Sequence, residues 1–188
     1  MRLVFMVEEL SMKALLDIIL PRVLPDGTEW LIIPHNGKGD LHASIALKLR
    51  GWSIPDDKFI IVHDQDSNDC IRLKNELASL CSNGRNECLI RIVCIELESW
   101  YFGDLSAVSS AYGKDLSSLV AKRKYRIPDK LSNAKRELRK LIPAYQPVSG
   151  ATKIALHMNV DNNTSHSFNV FIAGIRKIAG MECRQVAV

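Results

Sequence analysis

The sequence lacks the patterns that mark several common classes of protein. It has no C-x-x-C pair and an odd number of cysteines, which argues against a disulfide framework and against a zinc knuckle. The first apolar run meets Glu8 and Glu9 after seven residues, too soon for a signal peptide or a membrane span. We therefore expect a cytoplasmic protein that does not associate with membranes. We also expect reduced, mostly buried thiols at the five cysteines, which are Cys70, Cys81, Cys88, Cys94 and Cys183.

Nucleotide-binding motifs are missing as well. The glycines around Lys38 lack the spacing of a phosphate-binding P-loop, no G-x-G-x-x-G follows an apolar run, and there is no H-E-x-x-H. Neither ATP hydrolysis nor dinucleotide binding is predicted, so any ATPase would be a separate partner chain. The net charge of +4 and the pI near 8.8 are mildly basic and decide little by themselves.

What is present is an alternation of short apolar runs and amphipathic stretches. Runs at 3–7, 30–33, 59–62 and 89–95 predict strands, and helical spacing follows the first three of them. We expect Ser11 to cap the first helix and Pro21 to contribute to its end. With 188 residues and 47% hydrophobic content, this order predicts one α/β domain whose mostly parallel sheet of about four strands is flanked by helices.

Beyond residue 99 the pattern becomes helical. Helical spacing is found around 105–112, 132–142, 151–158 and 168–178, so we expect a core over 1–104 and a helical extension over 105–188, packed on the same domain. The stretch 122–140 carries nine lysines and arginines against two acids, an excess of seven positive charges. A solvated helix and loop explains this excess as well as a phosphate-contacting surface does.

Acidic residues follow three of the predicted strands. Glu8 follows the first, Asp64 and Asp66 the third, and Glu96 and Glu98 the fourth. The carboxyl ends of parallel strands line the crevice where ligands bind, and the alternate spacing of the two aspartates directs both to one side if the backbone is extended.

Clustered carboxylates repel one another unless some are protonated or a cation lies between them. Oxygen ligands favour Mg²⁺, with Mn²⁺ as a substitute, and such an ion commonly binds substrate phosphate. Taken singly, each of these acids is explained equally by a structural role, at the start of a helix or in a turn. The ordered set predicts a metal site for phosphodiester cleavage or nucleotidyl transfer.

These residues resemble the Toprim domain, the metal-binding module of topoisomerases, bacterial primases and the overcoming-lysogenization-defect nucleases. In that family a Glu follows the first strand and an Asp-x-Asp follows a later one, as Glu8 and Asp64-Gln65-Asp66 do here. Glu9 stands where the family usually has glycine. The resemblance implies a Toprim-like, Rossmann-like fold.

More closely, the chain resembles short standalone Toprim-like proteins of unknown function, often encoded beside AAA-type ATPases in bacterial defence regions. The similar pieces span nearly the whole length and lie at 7–13, 33–41, 64–67, 96–101 and 165–168.

The resemblance implies a fold and a metal site but supplies no reaction, since the family has none that is known. From the carboxylates we expect a metal-dependent nuclease acting on DNA or RNA, an effector of phage defence with an AAA-type ATPase as partner chain. A homodimer would place two sites for two strands. Lys38 and His35 are candidate phosphate contacts, and Lys153 is a candidate for stabilising developing charge. For Ser165, a structural role as a helix N-cap explains the residue as well as a functional role does. The open alternative is a non-catalytic binding or regulatory subunit of an ATPase complex. The expected catalytic residues are Glu8, Asp64, Asp66, Glu98 and Lys38, and the expected ligands of Mg²⁺ or Mn²⁺ are Glu8, Asp64, Asp66, Glu98 and Glu96.

Overall fold

A four-stranded sheet lies at the centre of the protein, whose structure is a computed structural model that describes residues 1–82 and 84–181. All three strand pairings are parallel, and the order across the sheet is β2-β1-β3-β4. The strands are β1 (Arg2–Val7), β2 (Glu29–Pro34), β3 (Lys58–Asp64) and β4 (Cys88–Val93). The predicted α/β class, with a parallel sheet of four strands between helices, is confirmed.

The two central strands, β1 and β3, account for the continuous apolar runs in the sequence. Residues 3–7 of β1 and 59–63 of β3 are buried without interruption, because helices cover both faces of the sheet. The pairing register places Val7 beside Pro34 and Val62, so these strands end at one edge. β3 continues to Asp64, which pairs with Val93 of β4.

Four helices alternate with or follow the strands. They are α1 (Leu10–Val23), α2 (Lys38–Gly51), α3 (Cys70–Cys81) and α4 (Glu98–Phe102). The expected cap at Ser11 was wrong, because the helix begins at Leu10 and Ser11 lies inside it, with its hydroxyl donating to Glu9 Oε2 at 3.3 Å. The prediction that Pro21 contributes to the end of this helix was also wrong. It lies inside α1, which continues to Val23 before the chain turns extended.

The C-terminal part is helical, as expected. Its elements are α5 (Leu105–Tyr112), α6 (Ser117–Val120), α7 (Ala134–Leu141), α8 (Pro147–Ala155) and α9 (His166–Ile178), with 3-10 turns at Arg123–Tyr125 and Pro128–Lys130. Ser165 is the N-cap of α9, since its hydroxyl accepts a hydrogen bond from the Phe168 backbone N–H at 3.2 Å.

Two apolar clusters cover the two faces of the sheet. The smaller one joins the sheet to α2 and α3. The larger one contains side chains from β1, α1 and α4 together with most helices of the extension. Trp100 is central to it, fully buried with its ring 5.2 Å from that of Phe168 and 5.1 Å from that of Phe171. The boundary that we expect between residues 104 and 105 stays a prediction.

Two further expectations concern membranes and thiols. No helix in the described ranges is long and apolar enough to cross a membrane. The expectation of mostly buried thiols was wrong for the described cysteines: Cys81 is buried, whereas Cys70, Cys88 and Cys94 are partly exposed. Cys183 lies outside the described residues.

Candidate functional site

The acidic residues meet at the carboxyl edge of the sheet. Glu8 comes directly after β1, Asp64 is the last residue of β3, and Glu98 is the first residue of α4, which follows β4. The backbone N–H of Asp64 points to Glu8 Oε2 at 3.4 Å, and the N–H of Leu97 points to Asp64 Oδ2 at 3.3 Å. These contacts link Glu8 to the end of β3, and Asp64 to the backbone directly before Glu98.

Asp66 and Lys38 form the exposed side of the site. Lys38 is the first residue of α2, and its Nζ lies 3.6 Å from Asp66 Oδ2, with both side chains largely exposed. The extended backbone that we considered for Asp64-Gln65-Asp66 was wrong, because Asp66 has a φ of 52° in the left-handed region. Aspartate tolerates this region better than most residues do. The chain therefore turns at Asp66 instead of continuing the strand.

Glu98 forms the buried side of the site. Its side chain is only 1% exposed, and the Tyr145 hydroxyl donates to Oε1 at 2.7 Å. Lys135 Nζ lies 4.0 Å from the same oxygen. The other oxygen, Oε2, is buried without a hydrogen-bond partner within the described structure. A buried carboxylate oxygen without a donor is costly, so this atom calls for a ligand or a proton.

Glu96 is held next to this group by the start of α7. Its Oε1 accepts a hydrogen bond from the Lys135 backbone N–H at 2.7 Å, and the side chain is partly exposed. Lys135 thus contacts Glu96 through its backbone and faces Glu98 through its ammonium group. Burial alone would lower the pKa of Lys135, but Glu98 and the neighbouring acids outweigh burial and raise it.

The three inner carboxylates share a raised proton affinity. Burial raises the pKa of Glu8, and the negative charge of Asp66 raises it further. The pKa of Asp64 is raised well above its ordinary value, first by burial and then by Glu8 and Glu98. Burial also raises the pKa of Glu98, against the opposing effect of Lys135. A cation at this edge would relieve the repulsion that these shifts express.

A pair of histidines, His63 and His42, lies beside Glu8, and the sequence did not lead us to predict this pair. His63 Nδ1 lies 2.5 Å from the Asp64 carbonyl oxygen and 3.4 Å from Glu8 Oε2, and its Nε2 lies 3.0 Å from Nε2 of His42. Because a carbonyl oxygen can only accept, Nδ1 carries the proton. Burial lowers the pKa of both imidazoles. The available signal was a histidine one residue before the end of a buried strand, but its partner lies 21 residues away.

Tyr145 and Lys135 were also missed as parts of the site. The hydrogen bond from Tyr145 spans 47 residues, and the one from Lys135 spans 39 residues. No local spacing marks either residue. Lys135 was visible only as one of many cations in a basic segment.

The other candidates occupy different places. His35 is buried beside β1, with Nδ1 2.9 Å from the Val7 carbonyl oxygen and Nε2 without a partner within the described ranges. Lys153 is exposed on α8, its Nζ 5.7 Å from the centre of the Tyr112 ring. The serine at 165 caps α9 and also donates to Asp129 Oδ1 at 2.6 Å, which explains its burial structurally.

The donor set suits a hard divalent cation in chemistry but is not preassembled. In the described part of the chain, no group of three or more histidine, cysteine, aspartate or glutamate side chains is already arranged to hold a metal ion. The available donors are carboxylate oxygens, including the unpartnered Oε2 of Glu98, which is the ligand chemistry of Mg²⁺ and Mn²⁺. Metal binding would therefore require these side chains to rearrange, and Mg²⁺ as ligand stays a prediction.

Comparisons with known proteins agree with this fold. The C-terminal region of the OLD protein of Xanthomonas campestris pv. campestris has a similar structure, with a TM-score of 0.55, 14% sequence identity and 96% of each chain covered. This likeness confirms the Toprim-like fold. A comparison with curated proteins gave no match. The family described as a domain of unknown function (DUF4276) matches residues 7–176, which include all the acidic residues of the site. The chain therefore belongs to the DUF4276 family.

Proposed function

We propose that this protein is a divalent-metal-dependent nuclease that cleaves phosphodiester bonds in nucleic acid. The observation that carries the proposal is the convergence of Glu8, Asp64 and Glu98 at the carboxyl edge of the sheet, where burial and, after it, repulsion from neighbouring acids raise the pKa of each of the three. A structural ion-pair network would place cations between these groups. Here Glu98 Oε2 has no partner among the described residues.

The metal would be held by the carboxylates of this edge. Glu8, Asp64 and Glu98 are the inner candidates, and Asp66 and Glu96 are the outer ones. When bound, Mg²⁺ or Mn²⁺ would supply charge stabilisation at the phosphoryl oxygens and an activated water. The five carboxylates outnumber the one or two that a Mg²⁺ ion usually takes from a protein.

Each neighbouring group has a role in this proposal. Neutral His63 donates its Nδ1 proton to the Asp64 carbonyl oxygen and so holds the end of β3, while the same nitrogen lies 3.4 Å from Glu8 Oε2. Lys38 is 60% exposed, and its one ion pair among the described residues is a 3.6 Å contact to Asp66, which would let it move to a substrate phosphate. Lys135 remains beside Glu98 and limits the negative charge of the carboxylate cluster.

The proposal extends to the biological setting. We propose that the protein acts as an effector in phage defence, together with an AAA-type ATPase supplied by another chain, and that a homodimer would place two sites for two strands. Support for the ATPase comes from the resemblance noted for the sequence. Co-purification from cells that co-express a candidate AAA-type ATPase checks that partner, and light scattering checks the dimer.

The direct test is a cleavage assay. Purified protein is incubated with supercoiled plasmid or with total tRNA in Mg²⁺, Mn²⁺ or EDTA. We expect cleavage that requires metal and is lost in the double variant Asp64→Asn/Asp66→Asn, because both carboxylates hold the ion. Asparagine keeps the size of each side chain, so loss of activity with an unchanged circular dichroism spectrum reports the lost charge.

A matched control uses two aspartates at the opposite edge of the sheet. Asp26 precedes β2 and Asp56 precedes β3, and both are exposed. The double variant Asp26→Asn/Asp56→Asn removes the same charge and should cleave as the wild type does. Equal activity in both double variants would refute the proposed site, and absence of metal-dependent cleavage with either substrate, even with the ATPase added, would refute the nuclease.

A second candidate function has its own supporting observation. Lys38 and Lys135 already lie beside Asp66 and Glu98, so internal cations balance part of the acidic charge, as in a site that binds no metal. Such a protein would be a binding or regulatory subunit of an ATPase complex. It would retain its partner after the change Asp64→Asn/Asp66→Asn, and it would cleave nothing.

A further inference from the structure

The two acids in the basic stretch 122–140 are already engaged inside the protein. Asp129 accepts hydrogen bonds from the hydroxyls of Ser165 and Ser167 and from the Ser167 backbone N–H. Glu137 lies 2.6 Å from Lys124 Nζ and 3.5 Å from Lys140 Nζ, and these contacts lower its pKa to about 2. Neither acid is available to neutralise the remaining cations.

Six cations of this stretch stay exposed without an ion pair or side-chain hydrogen bond to any described residue. We call this set the basic surface; its members are Lys122, Arg123, Arg126, Lys130, Arg136 and Arg139. An ordinary solvated helix intersperses charges of both signs on its exposed face. The six exposed side chains of the basic surface are all positively charged and therefore repel one another. Such a surface is typical of proteins that bind a polyanion.

The basic surface adjoins the carboxylate site. On α7 the residues Ala134 and Leu138 face the core, so Arg136 and Arg139 lie on the opposite side of the helix. The first turn of α7 contacts Glu96 and Glu98 through Lys135.

The two 3-10 turns bring the other members next to α7 and α4. The turn Arg123–Tyr125 is tied to α7 because the Tyr125 hydroxyl donates to Glu137 Oε1 at 2.8 Å. The turn Pro128–Lys130 packs against α4, which begins with Glu98. The cations therefore lie on α7, which packs against α4, and on the two turns attached to these helices.

The basic surface offers charge but no ring for stacking. Tyr125 is the aromatic residue of this stretch, and it is buried with its ring stacked on Phe102 at 5.3 Å and an interplanar angle of 6°. Proteins that hold single strands generally combine a basic groove with exposed aromatic side chains on which bases stack. A surface of lysine and arginine alone contacts phosphates and favours the higher charge density of a double helix.

We infer that the basic surface binds the phosphate backbone of a nucleic-acid duplex, independently of its sequence, and leads it to the carboxylates at Glu96 and Glu98. This inference rests on the proposed function, since it names the substrate form and the surface that holds it. Binding itself needs no metal, because it depends on the cations alone.

Binding of a fluorescent 24-base-pair DNA duplex, measured by anisotropy in EDTA over a series of salt concentrations, tests the inference. The logarithm of the association constant should fall with the logarithm of salt concentration with a slope of about −5 if all six cations engage phosphates. The double variant Arg136→Gln/Arg139→Gln should reduce the slope by about 2 and weaken binding roughly tenfold, equally for unrelated sequences. The corresponding single strand should bind more weakly than the duplex.

The matched control is Arg50→Gln/Arg85→Gln. Arg50 lies near the end of α2 and Arg85 lies in the loop before β4, so both are exposed at the edge of the sheet opposite the site. This variant has the same net charge as the α7 variant and should bind as the wild type does. Equal weakening in the two variants, or tighter binding of the single strand, would overturn the inference.

The assay separates this inference from the proposed function. Salt-dependent binding through α7 without cleavage in Mg²⁺ or Mn²⁺ would support the basic surface and refute the nuclease. Metal-dependent cleavage with unchanged binding in the α7 variant would support the nuclease and overturn the basic surface.

Discussion

Replacing Tyr145 by phenylalanine would remove the hydroxyl that donates to Glu98 Oε1 while keeping the ring in the core. Glu98 would then have one oxygen without a donor and another with only Lys135, 4.0 Å away. A hydrogen bond to a charged group contributes about 1.5–3 kcal/mol. We therefore expect the free energy of unfolding to fall by about 2 kcal/mol at pH 8, which lowers Tm by about 4–8 °C for a chain of this size.

Tyr101 provides the matched control for this change. It is fully buried, its ring centre lies 6.4 Å from that of Tyr145, and its hydroxyl has no partner within the described residues. Tyr101→Phe removes a buried polar group that makes no hydrogen bond, so stability should be unchanged or rise by up to about 1 kcal/mol. The same chemical change should thus destabilise the protein at position 145 and leave it unchanged or more stable at position 101.

A double-mutant cycle isolates the contact with Glu98. In the background Glu98→Gln the carboxylate is neutral, so Tyr145→Phe should cost only about 1 kcal/mol in urea unfolding. An equal cost in both backgrounds would refute the charged hydrogen bond. Equal Tm changes for the two tyrosine variants would refute the assignment of a satisfied and an unsatisfied hydroxyl.

Three further predictions concern the site and its support. Below the ordinary pKa of aspartate both wild type and Asp64→Asn are uncharged at this position, whereas above the raised pKa the wild type carries a buried charge. Metal-free Asp64→Asn should therefore become more stable than the wild type as pH rises, and calorimetry showing the reverse trend would contradict the raised pKa. Lys38→Gln should change the free energy of unfolding by less than about 0.5 kcal/mol, because its ion pair is exposed, while it slows cleavage. Gly103→Ala should lower the free energy of unfolding by about 1–3 kcal/mol, because the new Cβ would collide with the Asn163 side chain. Gly39→Ala, at a helical position with open space around the new Cβ, should raise it by about 0.5–1 kcal/mol in the same denaturation assay.

Local patterns were sufficient for the sheet and for the placement of its acids. The buried runs of β1 and β3 predict central strands because a parallel sheet covered on both faces needs uninterrupted apolar residues. The order of strands then places Glu8, Asp64 and Glu98 at one edge, and the structure has them there. The sequence could not give the turn at Asp66, since an Asp-x-Asp is compatible with either an extended or a left-handed backbone.

Long-range partners were beyond local patterns. The donor to Glu98 comes from a tyrosine 47 residues away, and the histidine pair joins α2 to β3. Helix starts show the same contrast on a smaller scale. Ser165 is the N-cap of α9. Ser11 lies inside α1 because Glu9 takes the N-cap position and the helix begins at Leu10.

Calorimetric titration of the metal-free protein with Mn²⁺ tests the central claim most directly. We expect saturable binding by the wild type and by Asp26→Asn/Asp56→Asn, and loss of binding in Asp64→Asn/Asp66→Asn, because the carboxylates at the edge of the sheet hold the ion. Absence of Mn²⁺ binding by the folded wild type, or equal binding by all three proteins, would contradict the claim.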